Sequence, residues 1–417
     1  MLARGLGLVA LAAVLLGVVG CGGVAVSDVA EATGGQLTIY SSLPLQGPTA
    51  GISEQIVDGE KLALADAGGR AGPFKIEYSS LDDANPTSGQ WEPGLTATNA
   101  KIAAQDTSTI AYLGELDSAA TAVSLPFINA AGILQVSPAS PYVGLTSSLD
   151  AGQDEPERFY PSGKRTFVRL PPGDVVQAAA LVQLLASRGV HKLYVLDDQD
   201  AFQVPLADIV AGDAEKAGMT VLAHDSLSTQ ANAVFSGEVV KIAGSGAQAV
   251  FLAGAEGKGT ARLWRELARA NPDLLLATSG ATAGESFPSQ LGAAAANTYL
   301  STPVLPLALY PASARGVLRR YRSVFGQEGG PFALYGYEAM TLVLDAIRSA
   351  GARGNDRQTV IERVFATRER NSVIGRYSVQ GDGETTLSRY GFDRVIGGRT
   401  AFYRAIDVGT GTSRSAG

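Results

Sequence analysis

The sequence holds one cysteine, Cys21, in 417 residues. That excludes a disulfide framework and the paired-cysteine zinc sites. Histidine is nearly as scarce, with only His191 and His224. They stand far apart beside expected strands, without the partners that a histidine zinc site or a Ser–His–Asp triad needs. Both read as surface or edge residues. No serine has glycine two residues before and two after it, so a nucleophile elbow is missing. Positive charge is in deficit too: 33 Lys and Arg against 40 Asp and Glu give a net charge of −7. A nucleic-acid binder needs a basic face, and this balance argues against one. What the chain does have is 46% hydrophobic residues and 50 glycines. That is ample apolar material for packed cores in two or three domains, with glycines for many strand–helix turns.

The only long apolar run, Leu6–Val19, is short and glycine-rich. With Arg4 ahead of it, it matches a secretory signal better than a membrane span. Val18-Val19-Gly20-Cys21 follows, and a small residue directly before the only cysteine resembles a bacterial lipobox. The resemblance implies cleavage before Cys21 and lipidation of its thiol. The alternatives are an ordinary signal peptide with an incidental cysteine, or an uncleaved anchor. Residues 1–20 are thus expected to be the signal. Residues 21–35, small and polar, read as a flexible tether reaching about 20 Å. The Gly/Ser/Thr-rich tail, 408–417, is expected to fray.

Strand–helix–strand patterning begins at Leu37. An apolar strand leads through Pro44-Leu45-Gln46-Gly47-Pro48 into a helix over 51–67, with Ile52, Ile56, Gly59, Ala63 and Ala67 on one face. Gly68-Gly69 ends it, and the strand Phe74–Tyr78 runs into Asp82-Asp83. Further helix–strand units reach Ser137. Val143–Arg165 lacks any period and reads as a long surface loop leading into a crossover at 166–174. A second series of strands and helices then runs to Ser279. Helices follow at 312–325, 334–350 and 359–367, with terminal strands expected at 373–379, 390–395 and 401–406. This order predicts an α/β fold with parallel sheets flanked by helices.

In such sheets ligands lie beyond the carboxyl ends of the strands. Gly244–Ala249 matches part of a dinucleotide fingerprint but precedes a strand, and Gly254–Thr260 lacks the Gly-Lys-Ser/Thr order of a phosphate loop. The pairs Asp82-Asp83 and Asp197-Asp198 read as caps or solvent-facing acids rather than metal ligands. The sequence implies neither a cofactor nor a metal. Asp117-Ser118-Ala-Ala-Thr121 opens a helix. Either the helix amides and the Ser118 and Thr121 hydroxyls seat a carboxylate, or Asp117 or Ser118 caps the helix.

The motifs Gly47-Pro48, Gly59…Gly68-Gly69, Asp82-Asp83, Gly114…Asp117-Ser118, Gly132-Ile133…Ser137-Pro138-Ala139, Phe167-Val168-Arg169…Asp174 and Tyr335–Ala339 together resemble the type I periplasmic binding proteins. Within that family the chain is most similar to the branched-chain amino-acid-binding lipoproteins of ABC importers, and the resemblance spans nearly all of 36–407. It implies two Rossmann-like lobes joined by three crossovers: 36–166 with 304–374, and 167–303 with 375–407. It also implies a ligand cleft closed by a hinge, no enzymatic activity, an ABC permease as partner, and an extracytoplasmic location anchored at the membrane through Cys21. By resemblance Ser118, Ala139 and Ser140 hold a ligand carboxylate, Phe202 covers the ligand, and Gly254 and Ala255 contribute from a second loop. Gly47 and Thr121 complete the expected set. The family's ammonium-binding acid corresponds to Ser279 here, which leaves Glu256 as a substitute or a ligand that is not a simple α-amino acid. The ligands implied are a branched-chain amino acid, an amide or a small carboxylate. A sensing module of the same fold is the alternative role. An enzyme would need Asp82, Asp83 or Glu256 buried in one cleft beside a nucleophile.

Overall fold

A computed structural model describes residues 31–33, 35–279 and 286–409. The expected signal, Cys21, most of the tether and the end of the tail lie outside these residues. Two sheets carry the fold. The first contains β1 (Gln36–Leu43), β2 (Arg70–Ala71), β3 (Phe74–Asp82), β4 (Thr109–Leu113), β5 (Leu134–Ser137) and β6 (Phe167–Arg169), in the order β2-β3-β1-β4-β5-β6. The second contains β7 (Lys192–Asp197), β8 (Thr220–Ser226), β9 (Ala249–Ala253), β10 (Leu275–Thr278) and β11 (Thr298–Thr302). A small antiparallel hairpin, β12 (Arg370–Asn371) with β13 (Arg376–Tyr377), stands apart. The second sheet is completed by β14 (Arg389–Ile396) and β15 (Arg399–Asp407), in the order β15-β14-β11-β10-β9-β7-β8.

Both sheets have a parallel centre of apolar strands buried on both faces, as helix-covered parallel strands must be. The second differs from the sequence expectation in closing on two antiparallel strands, β14 and β15. The chain passes between the sheets three times: after β6, after β11 and between β13 and β14. This is the two-lobed α/β architecture expected.

Helix α1 (Ala50–Asp66) crosses α10 (Pro331–Ala350) on the first sheet. The crossing is close because Gly59 faces the Ala333 carbonyl and Gly336 faces the Ile56 carbonyl, leaving no room for a Cβ at either position. Helices α2 (Pro93–Gln105), α3 (Ser118–Ala130), α9 (Ala312–Phe325) and α11 (Arg357–Phe365) complete that lobe. The other lobe carries α4 (Asp174–Ser187), α5 (Val204–Lys216), α6 (Ser236–Ser245), α7 (Lys258–Ala270) and the short α8 (Ser286–Gln290).

Three expectations need adjustment. Phe167–Arg169 is not only a crossover: it pairs in parallel with Gln135–Ser137 as the last strand of the first sheet. Val143–Arg165 is a surface loop only in part: residues 152–154 and 161–164 are exposed, but Val143, Leu145, Phe159 and Tyr160 are buried and the Tyr160 hydroxyl donates to the Leu145 carbonyl at 2.7 Å. Single apolar residues without a period are enough to pack a loop over a core. The strand expected over 373–379 shrinks to Arg376–Tyr377. At the end of the tether segment, Ala32 is buried and donates its amide to the Asn355 carbonyl at 2.7 Å, which fastens this stretch to the first lobe.

Candidate functional site

The loops leaving the carboxyl ends of β4 and β5 in one lobe and of β7, β9 and β10 in the other line a single cavity of about 280 Å³. This is where ligands sit against parallel sheets. On the first lobe the wall is made by Leu116, Asp117, Ser118 and Ala119 at the start of α3, and by Ala139, Pro141 and Tyr142 after β5. Trp91 and Phe332 add aromatic area. The α3 terminus carries the cap that one reading of its sequence expected. Asp117 caps the helix, its Oδ1 accepting the Ala119 amide at 2.9 Å. The Ser118 hydroxyl accepts the Tyr142 amide at 3.2 Å.

On the second lobe the wall is made by Asp198, Asp200, Phe202 and Gln203 after β7, by Gly254, Ala255 and Glu256 after β9, and by Ser279 after β10. The Asp198 carboxylate ties two of these loops, accepting the Ala255 amide at 2.8 Å and the Asp200 amide at 3.2 Å. The Ser279 hydroxyl donates to the Gly254 carbonyl at 3.2 Å. Phe202 stands edge-on to Tyr142 across the cavity, with ring centroids 4.9 Å apart. Asp174 and Gln177 of α4 reach the same space from the first crossover.

Of the residues expected at the site, Ser118, Ala139, Phe202, Gly254, Ala255, Glu256 and Ser279 therefore meet at one cavity. Thr121, Ser140 and Gly47 are not part of its wall. The Thr121 and Ser140 hydroxyls bond each other at 2.7 Å, and Ser140 Oγ donates to the Glu115 carbonyl at 3.2 Å; both side chains are fully buried. They brace the loops from beneath, so neither hydroxyl reaches the cavity. Gly47 adopts φ +76°, and a Cβ there would collide with the Gly89 backbone; its glycine serves a tight loop crossing. Sequence reasoning missed Trp91, Asp174, Gln177, Asp200 and Phe332, and took Asp198 for a cap or solvent-facing acid. The only signal was the placement of Asp197–Asp200 at a strand end.

The wall is acidic. Asp117, Asp174, Asp198, Asp200 and Glu256 line it, and none of its described residues is Lys, Arg or His. Burial pushes the Asp174 carboxyl up to about 7, against the opposing pull of Arg169 and the Val143 amide. Burial also raises Asp117, with the charge of Asp200 acting in the same direction against the bonds from the helix amides. Asp198 is raised for the same first reason. Behind the first lobe's wall, Glu115 and Asp83 are fully buried. Glu115 accepts from the Tyr112 hydroxyl at 2.6 Å and Asp83 from Thr96 at 3.0 Å. Burial and the neighbouring Asp83 hold Glu115 well above the carboxylate range, and burial lifts Asp83 to about 6.

The remaining chemistry-bearing groups have structural partners. His224 sits between Asp197 at 2.9 Å and Asp208 at 3.2 Å, and Asp197 also accepts from Ser226 and the Gln199 amide. Asp82 receives the Leu45 and Ala84 amides. Among the described residues, no group of three or more His, Cys, Asp or Glu side chains is placed to hold a metal ion. None of the described helices is long and apolar enough to cross a membrane.

Two parallel-sheet lobes, three connections and a polar cavity between the strand ends define a bilobal solute-binding protein. The chain belongs to the periplasmic binding protein family, whose model matches residues 37–398. No curated protein matches the sequence. Solved structures do. A leucine-binding protein from Thermotoga maritima shares 20% identity at TM-score 0.72, covering 89% of this chain and 99% of that one. A branched-chain amino-acid transporter binding protein from Streptococcus pneumoniae, in complex with isoleucine, shares 18% at TM-score 0.67, covering 90% and 99%. A solute-binding protein of an ABC transporter from R. palustris, in complex with benzoate, shares 15% at TM-score 0.66, covering 89% and 96%. These neighbours share the type I fold and differ in what they hold.

Proposed function

We propose that this protein is an extracytoplasmic, lipid-anchored receptor that captures a small polar solute between its lobes and presents it to the permease of an ABC importer. The observation that carries the reading is the single cavity built jointly by loops of both sheets. A ligand touching both walls favours the closed arrangement over the open one, and that differential affinity is what drives closure. Ser118 and Ala139 at one wall, and Phe202, Gly254, Ala255, Glu256 and Ser279 at the other, are its contacts. The Val18–Cys21 sequence supports the anchor. Branched-chain amino acids, amides and small carboxylates are the starting candidates.

The catalytic alternative gains no support from the geometry. Glu256 lines the cavity, whereas Asp83 is buried behind its wall. A sensor of the same fold would bind in the same way and differ only in the partner it addresses. Calorimetric titration of the chain from residue 22 onward against amino acids, amides, amines and organic acids tests the receptor reading. Saturable one-site binding is expected. Heat-silent titrations across the whole panel, with the protein folded by circular dichroism, would contradict it.

A further inference from the structure

We infer that the solute carries a net positive charge: an amine or amino-acid amide with a hydrogen-bond acceptor beside its ammonium, and no carboxylate. The inference rests on the receptor reading and sharpens it.

Three independent features of the cavity point this way. The first is the occupied helix terminus. An anionic ligand would seek the free amides of α3, but Asp117 has taken that place with its own carboxylate, and the Ala119 amide is already satisfied at 2.9 Å. A ligand carboxylate brought there would meet a like charge in a partly dry space, where repulsion is strong. The second is the balance of charge around the wall. Asp117, Asp174, Asp198, Asp200 and Glu256 line it without a lysine, arginine or histidine among the described lining residues. The nearest strong cation acting on them is Arg169. Its side chain is fully buried behind Asp174 and is committed to Glu384 at 2.7 Å. These acids are spread over both lobes rather than gathered at one point, and no described group of them is placed to hold a metal ion. Such a distribution suits an organic cation with several N–H donors better than a bare ion.

The third feature concerns hydrogen bonding and aromatic faces. Gln203 lends a neutral side-chain amide to the wall, a group that can bond a ligand N–H without adding positive charge. The Tyr142–Phe202 pair, with Trp91 and Phe332, adds the aromatic surface that ammonium groups favour. One group works the other way. Ser118 Oγ accepts the Tyr142 amide, which leaves its own proton for a ligand carbonyl. A neutral amide or ketone oxygen meets that demand without bringing negative charge beside Asp117.

The test is a charge series on one carbon skeleton: leucinamide, leucine, 4-methylpentanamide and 4-methylpentanoate. Matching series on arginine and on aromatic side chains are added, together with aliphatic diamines. Titration calorimetry is run on the chain from residue 22 onward at neutral pH. The tightest binder is expected to be a cation without a carboxylate, at least about tenfold tighter than its zwitterion, with the free acid weakest. Asp198→Asn and, separately, Glu256→Gln should each weaken that cation about tenfold, with an unchanged circular dichroism spectrum separating charge loss from a damaged fold. If a zwitterion or an acid binds tighter than its matched cation, the charge inference is overturned and the receptor reading stands. If no compound in any series binds folded protein, the receptor reading itself fails and takes the inference with it.

Discussion

Glu384→Gln isolates the charge that holds the first and third crossovers together. Arg169 lies at the end of β6 with its side chain fully buried, and it faces Glu384, which is 23% exposed, across 2.7 Å. Its guanidinium also donates to the Ser140 carbonyl at 2.9 Å and to Thr146 at 2.6 Å. Two further bonds double the link: the Arg169 amide donates to the Gly383 carbonyl, and the Thr385 hydroxyl donates to the Leu170 carbonyl. First and third crossovers are thus clamped next to the loop that braces the cavity. Glutamine keeps the shape and one acceptor and removes only the charge. Breaking a fully buried pair costs roughly 3–5 kcal/mol because the remaining ion is stranded. Glu384 reaches water, and the Asp174 carboxyl supplies some compensating charge, so about 2 kcal/mol is the expected loss. At roughly 2–4 °C per kcal/mol for a lobe of this order of size, the Tm should fall by about 4–8 °C in differential scanning calorimetry. A Tm within about 1 °C of the parent would show that the pair contributes nothing net and that the two crossovers are held together by their other hydrogen bonds alone.

Other perturbations test other links. Glu60, Asp83 and Asp174 are held by burial at about 8, 6 and 7. The native chain therefore keeps protons that the unfolded chain loses near its ordinary pKa of about 4. Stability should fall as pH rises from about 5.5 to about 8.5, by several degrees in Tm; a rise over that window would contradict these assignments. Gly336→Ala should destabilise by about 1–3 kcal/mol in chemical denaturation, because its methyl meets the Ile56 carbonyl across α1 and α10. A neutral result would mean that the helices separate freely. Ser118→Ala should weaken ligand binding by about 1–3 kcal/mol in calorimetry without altering Tm by more than a few degrees. Unchanged affinity would remove Ser118 from the contact set.

The parts of the fold that were legible in the sequence are those with a period. The β1–α1–β3 opening alternates and repeats cleanly, and the site loops followed from where strands end. The cavity's chemistry was harder to see, because its acids come from separate crossovers and loops: Asp117 after β4, Asp174 on α4, Asp198 and Asp200 after β7, and Glu256 after β9. Only folding brings them to one wall. Thr121 and Ser140 illustrate the converse. They are polar, at strand ends and close to the site, yet their hydroxyls are spent on each other. The inward packing within Val143–Arg165 was opaque because a loop can bury Phe159 and Tyr160 without any repeat for the eye to follow.

The central claim, that both lobes shut on a guest held between them, is tested most directly by small-angle scattering of the chain from residue 22 onward, with and without a saturating amount of the tightest binder from the charge series. The account predicts a smaller radius of gyration and a shorter maximum dimension in the bound state. Identical profiles at proven saturation, together with unchanged affinity in Phe202→Ala, would contradict it.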